Sequence, residues 1–390
     1  MDFDYTPEQE RLRKDYRARL EAVMTPERRA SVATPTEGGA AVADCRRALG
    51  EAGLLGVAWP TEYGGGGLTA LEQYIFGEEA RRVNAPLPMI TLNTVGPTLI
   101  QFGTDEQKEK FLPAILKGTI DFAIGYSEPG AGSDLASLRT NAVRDGDDFV
   151  INGSKMFTSG AEFADYIWLA ARTDPEAKKH KGITLFIVPT DAEGFSWKPL
   201  HTMPGVSTYY TFYDDVRVPA SSIVLGENEG WKLITNQLNH ERVAICPASG
   251  LSRSLTEVRR WAQEHRLGDG RLMIEHEWVQ IGLAKAHAKV EVLKLFNWKV
   301  AWAADKGLNP ADASATKVYG TELALEIYRL LLDIVGQGGY LVEGSPGTVV
   351  RGRLENQARS QTIFTFGGGT NEIQRDIIAM IGLGMPRAPR

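Results

Sequence analysis

The sequence predicts an α+β protein in which two helical regions flank a block of strands. Apolar residues recur at helical spacing up to about residue 120, and the same spacing returns from 229 to the end. Between 121 and 228, β-branched and aromatic runs alternate with turn signals about every ten residues. The expected domains are an N-terminal helical domain over 1–120, a middle β-barrel or sandwich over 121–228 and a C-terminal four-helix bundle over 229–390. A chain of 390 residues can bury such cores without disulfide staples.

In chain order, Thr6 precedes Pro7 and the acidic Glu8 and Glu10, which predicts a capped helix start followed by a long amphipathic segment. Tyr63-Gly64-Gly65-Gly66-Gly67, after Ala58-Trp59-Pro60, reads as a loop. Strands are expected over 147–153, 165–170 and 182–189, with a hairpin turn at Arg144-Asp145-Gly146-Asp147, where glycine tolerates positive φ. The β region closes around Val218-Pro219. Beyond it, the segment 276–306 predicts a long helix. Val318, Thr321, Leu325, Tyr328, Leu332 and Val335 recur at spacings of three and four and predict one buried stripe.

Composition narrows the function classes. With 43% hydrophobic and 24% charged residues, the chain falls outside the disordered, collagenous and disulfide-scaffold classes. A net charge of −6 disfavours nucleic acid as a partner. Cys45 and Cys246 are the two cysteines, neither with a metal-ligand spacing, so a reducing cytoplasm and no metal are expected. The first 20 residues have no apolar core of a leader peptide and no apolar run approaches 18 residues, so no membrane is expected.

Three stretches could carry chemistry. Tyr126-Ser127-Glu128-Pro129-Gly130-Ala131-Gly132-Ser133-Asp134 is either a plain surface turn or a set of backbone N–H groups and hydroxyls that binds a polar ring edge or phosphate oxygens. In a helix over Trp231 to Ile245, Glu241 shares a stripe with Ile234, Leu238 and Ile245. A carboxylate there is either half of a buried ion pair, for instance with Arg242, or a base whose pKa burial raises. Phe364 to Arg375 contains Gly367-Gly368-Gly369-Thr370-Asn371 and is either a helix connection or a loop whose free N–H groups donate to a carbonyl oxygen. The glycine clusters match neither a dinucleotide fingerprint nor a P-loop.

Together with Asn152-Gly153-Ser154-Lys155-Met156-Phe157-Thr158-Ser159, these stretches resemble the acyl-CoA dehydrogenase family over essentially the whole chain. The resemblance implies FAD as cofactor, with Tyr126, Ser127, Gly132 and Ser133 at the flavin and pyrophosphate, Phe157, Thr158 and Ser159 along the isoalloxazine, and Thr370 and Asn371 also in contact. Ser133 and Arg242 would bind substrate. The implied reaction is α,β-dehydrogenation of an acyl-CoA to the trans-2-enoyl-CoA, a step of β-oxidation, with electron-transfer flavoprotein as acceptor. Many members carry their base at the position occupied here by Gly368, so that base is missing. Branched-chain and long-chain members place it where Glu241 stands. The N–H of Gly368 and a ribityl hydroxyl would then clamp the thioester carbonyl.

Homotetrameric members reach a neighbour's FAD with an Arg-x-x-Phe-Gly and a Gln-x-x-Gly-Gly segment. Here both are degraded, to His265-Arg266-Leu267-Gly268-Asp269-Gly270-Arg271 and Asp333-Ile334-Val335-Gly336-Gln337. In this the chain resembles the base-bearing subunit of actinobacterial members that act on steroid side chains in sterol catabolism as α2β2 heterotetramers. The expected partners are an acyl-CoA, a 3-oxocholest-4-en-26-oyl-CoA-like thioester, and a homologous subunit. The alternatives are a branched- or long-chain fatty acyl-CoA dehydrogenase, an acyl-CoA oxidase and a non-catalytic subunit.

Overall fold

The computed structural model describes residues 5–32, 38–241 and 246–386, without the side chains of 238–241. They form two compact units. The β unit comprises 12–69 and 83–241, and the helical unit comprises 5–11, 70–82 and the residues after 245.

The β unit is organised by a curled seven-stranded sheet. Its strands are β1 (Phe122–Gly125), β2 (Asn141–Asp145), β3 (Asp148–Lys155), β4 (Tyr166–Arg172), β5 (Ile183–Pro189), β6 (Phe195–His201) and β7 (Ser207–Pro219). The order is β1-β4-β2-β3-β7-β6, and β5 pairs with β4. The hairpin expected at residues 144–147 is present: Asp145 pairs with Asp148, and Gly146 turns the chain at φ 64°. Strands β4 and β5 are buried along nearly their whole length, which is why they read as unbroken apolar runs. Edge strand β6 exposes Trp197, Lys198 and its neighbours instead. Phe149, Ile151, Ile167, Leu169, Phe186, Val188, Val216 and Val218 form the core.

A register shift between Ile151 and Gly153 bends β3 where it pairs with β7. Gly153 has φ 146°, and a Cβ there would lie 2.7 Å from the Thr140 hydroxyl, so this position requires glycine. Beyond the bend, Lys155 points inward and is fully buried.

The helical unit packs Ala248–Glu264, Glu277–Ala304, Arg353–Ser360 and Asn371–Ile377 against the 26-residue helix Pro310–Val335. That helix starts where Asn309 Oδ1 accepts the N–H of Ala311 and a proline occupies the first turn. Of the expected stripe, Thr321, Tyr328, Leu332 and Val335 are buried, but Val318 and Leu325 are only partly so. Gly320, Ala324, Ile327 and Leu331 are buried as well, because neighbours surround the helix on several sides and the burial is wider than one stripe. Among the described residues, no helix is long and apolar enough to cross a membrane.

Candidate active site

The turn Tyr126–Asp134 leaves β1 and is stitched from within. Glu128 and Ala131 exchange two N–H to C=O bonds of 3.0 Å. The Glu128 carboxylate accepts the N–H groups of Arg139 (2.7 Å) and Thr140 (2.8 Å) and the ammonium of Lys155 (2.8 Å). Lys155 Nζ also donates to the Tyr126 carbonyl at 3.1 Å. Burial opposes ionisation of Glu128, but the Lys155 charge and the bonds it accepts outweigh that and hold the carboxyl below its ordinary range. Burial pulls Lys155 down to about 8 against the attraction of Glu128. Carboxylate and ammonium thus hold each other as a charged pair at neutral pH. With the turn held from beneath, Gly132 and Ser133 are left exposed, and Glu128, Gly130, Arg139 and Ser154 line an adjoining recess.

Just after β3, the N–H of Met156 donates to the Ser127 carbonyl (2.8 Å), tying the strand end to the turn. The next residue, Phe157, has φ 61° and is 56% exposed. A bulky side chain in the left-handed region is strained and persists only where its surroundings enforce it. Thr158 supplies that enforcement: it is buried, donates its N–H to the Tyr209 carbonyl (3.0 Å) and pairs its hydroxyl with Thr211 (3.3 Å). Ser159 pairs its hydroxyl with Thr208 at 2.9 Å.

A buried polar relay connects this turn to the helix that ends at Glu241. Trp168 Nε1 donates to the Tyr126 hydroxyl (3.1 Å), which donates to Gln237 Oε1. Gln237 Nε2 donates to Thr98 Oγ1 (3.2 Å), whose hydroxyl donates to the Thr94 carbonyl (2.6 Å). Gln237 lies on helix Gly230–Glu241, four residues before Glu241 and so one turn earlier on the same face. Ile234 on that face is fully buried, as its spacing predicts.

In the helical unit, the glycine-rich turn after Phe364 rests on Lys317. Its fully buried ammonium donates to the carbonyls of Thr365 (3.1 Å) and Gly369 (2.9 Å) and to Asn371 Oδ1 (2.8 Å). Gly368 and Gly369 have φ 67° and 92° and are exposed. Thr370 Oγ1 caps the following helix by accepting the N–H of Ile373 (3.2 Å). The Asn371 side chain is buried, and its amide donates to Thr321 Oγ1 (3.0 Å) and Glu322 (3.1 Å). In the degraded loop, Arg271 Nε donates to Asp269 (2.8 Å), and a second nitrogen lies 3.1 Å from His276 Nδ1.

Tyr126, Ser127, Gly132, Ser133, Phe157, Thr158 and Ser159 therefore belong to one contiguous stretch of the β unit, while Gly368, Thr370 and Asn371 belong to the helical unit. The Glu241 side chain and the whole of Arg242 lie outside the described residues. The sequence reading missed Lys155, Lys317, Trp168 and Gln237. Only Gln237 carried a signal, being a polar residue on the same apolar stripe as Glu241.

Sequence models of the acyl-CoA dehydrogenase N-terminal, middle and C-terminal domains match residues 6–119, 123–216 and 228–383. The acyl-CoA dehydrogenase FadE26 of Mycobacterium tuberculosis is 54% identical over 401 residues, covering all of both chains. This chain belongs to the acyl-CoA dehydrogenase family. A chain in the crystal structure of the ChsE4-ChsE5 complex from Mycobacterium tuberculosis superposes with a TM-score of 0.94 at 54% identity, covering 100% of each chain. A chain of the Tcur3481-Tcur3483 steroid ACAD does so with a TM-score of 0.94 at 49% identity, again over 100% of each. The protein is an acyl-CoA dehydrogenase.

Proposed function

We propose that this chain is the base-bearing subunit of a heteromeric, FAD-dependent acyl-CoA dehydrogenase that acts on a sterol-derived acyl-CoA. The observation that carries the cofactor assignment is Phe157, a strained and exposed aromatic ring held beside exposed turn residues by buried neighbours. Such a ring offers a flat apolar face, and the N–H groups of Gly132 and Ser133 can donate to the polar edge or the phosphates of FAD. Tyr126, Ser127 and Ser159 complete that wall and Thr158 supports it from inside; Thr370 and Asn371 are further cofactor contacts that the family resemblance implies, Asn371 through its backbone, since its side chain is taken up by Lys317, Thr321 and Glu322. FAD, when bound, takes up the hydride from Cβ of the substrate.

The chain's own residues then have separate tasks. Glu241 removes the proton from Cα. Gly368 offers its N–H to the thioester oxygen, where negative charge grows as that proton leaves. Position 368 has no side chain, so it cannot supply the base itself. Ser133 and Arg242 bind the substrate. The Trp168–Tyr126–Gln237–Thr98 relay fixes the helix that ends at Glu241 relative to the turn within the β unit.

A second subunit is inferred from the loop at 265–271. Arg271 already has Asp269 and His276 as partners, which favours a different chain as donor to the FAD pyrophosphate. The similarity to chains of two complexes, one a steroid ACAD, supports both the partner and the substrate class. Electron-transfer flavoprotein is the proposed acceptor. The test is expression of the chain alone and with its partner subunit, followed by a flavin spectrum and an acyl-CoA panel. The expected result is flavin only in the co-expressed complex, with ring-bearing acyl-CoA oxidised faster than butyryl-CoA or octanoyl-CoA. A lone homotetramer that holds FAD in every subunit and turns over acyl-CoA would refute the heteromer.

A further inference from the structure

Helix Glu277–Ala304 of the helical unit carries two apolar seams on different faces. One, which includes Leu283, Val290, Leu293 and Val300, is buried where the helix packs against Ala248–Glu264 and Pro310–Val335. The other is open to solvent and keeps a strict alternation of three and four residues along the whole helix. Trp278, Lys285, Val292 and Lys299 recur every seven residues, and Ile281, Ala288, Leu295 and Trp302 follow each of them by three. Every one of these residues is exposed, Trp278, Ile281, Val292, Leu295 and Trp302 by 41–54%. Scattered apolar residues are ordinary on a protein surface, but a continuous row about 36 Å long with a tryptophan at each end is not. The seven-residue repeat also states what covers the row. It is the pattern by which a second helix lies alongside, each apolar side chain entering a gap between side chains of the partner.

The two lysines in the row select which helix that is. A parallel second copy would set Lys285 against Lys285. An antiparallel copy, in the register that lays Trp278 against Trp302, would set Lys285 against Leu295 and Lys299 against Ile281. Lys299 brings its own counter-charge, since its ammonium donates to Asp312 at 2.9 Å. Lys285 has no ion-pair partner among the described residues, and a second copy offers it none along this seam, because Glu291 is paired with Lys294 at 2.6 Å. A lysine at a seam position disfavours self-pairing in this way and favours an unlike helix with a carboxylate facing it.

We propose that the exposed seam of helix Glu277–Ala304 docks a helix of the unlike, homologous subunit, and that this subunit presents a carboxylate to Lys285. This rests on the heteromer reading given above. The test uses the co-expressed complex, read by native mass spectrometry and by the concentration at which it dissociates. Leu295→Glu, which places a charge at the middle of the seam, should abolish the complex. Lys285→Glu should raise its dissociation constant at least about tenfold, as expected where an attractive charge pair becomes a repulsive one. Circular dichroism and melting temperature of each chain expressed alone report whether the variant is folded. An intact complex in the folded Leu295→Glu variant would overturn the seam, and an unchanged dissociation constant in Lys285→Glu would overturn the carboxylate, both leaving the heteromer reading in place. A wild-type chain that dimerises alone, through a contact that Leu295→Glu breaks, would make a second copy the occupant and overturn the assignment. Failure of the wild-type chain to join any homologous subunit would instead overturn the heteromer reading itself, and the assignment with it.

Discussion

The two glycine-rich turns, one in each unit, are built on the same plan with different chemistry. Each rests on a fully buried lysine, Lys155 beneath Tyr126–Asp134 and Lys317 beneath Gly367–Asn371. Lys155 meets a carboxylate, Glu128, that also gathers two backbone N–H groups. Lys317 donates to two carbonyls and an amide oxygen, all neutral. The first turn therefore depends on an ion pair shielded from water, and the second on ion–dipole bonds that hold carbonyls inward. In both, glycines stand exposed at the surface: Gly130 and Gly132 in the first turn, Gly368 and Gly369 in the second.

Breaking the ion pair should produce the largest effect. Glu128→Gln or Lys155→Met leaves one buried charge unmatched and should cost about 3–5 kcal/mol, read from denaturant melts. The contribution of Glu128 also has a defined pH dependence. Its carboxyl is held below the ordinary value of 4.5, so its stabilisation is complete above that pH and is lost as pH falls through the depressed folded value. Melts between pH 3 and pH 7 should show this loss in wild type and not in Glu128→Gln; parallel curves would break the comparison.

Lys317→Met should cost less, about 1.5–3 kcal/mol, because it removes charge-assisted bonds to groups that carry no net charge. Hydrogen exchange should show the change at 365–371 and leave 126–134 protected. Phe157→Gly should have the smallest effect, a gain of about 1 kcal/mol in the apoprotein from relieved left-handed strain. The same variant should bind FAD more weakly, so a rise in melting temperature with unchanged flavin retention would remove Phe157 from the cofactor wall.

These two turns also show what the sequence discloses and what it hides. Their glycines, hydroxyls and caps are local features, and so are the Gly146 hairpin and the apolar runs of β4 and β5. The buried lysines are not local, since a lysine reads as surface unless its partner is known. Glu128 is 27 residues from Lys155, and Asn371 is 54 from Lys317. Phe157 gives no sign of its positive φ, which is imposed by Ser127, Tyr209 and Thr211 from elsewhere in the β unit. The helix Pro310–Val335 reads as one stripe because periodicity identifies the most regular spacing and not the number of neighbours.

The central claim is that proton removal belongs to Glu241 on the helix tied to the first turn, and not to the second turn, where Gly368 has only a backbone to offer. It is tested most directly by rapid mixing of the flavin-loaded complex with acyl-CoA, wild type against Glu241→Gln. Flavin reduction in the variant should slow roughly a thousandfold or more, with flavin content and substrate binding preserved. Reduction of the flavin at a near-normal rate in Glu241→Gln would contradict the account.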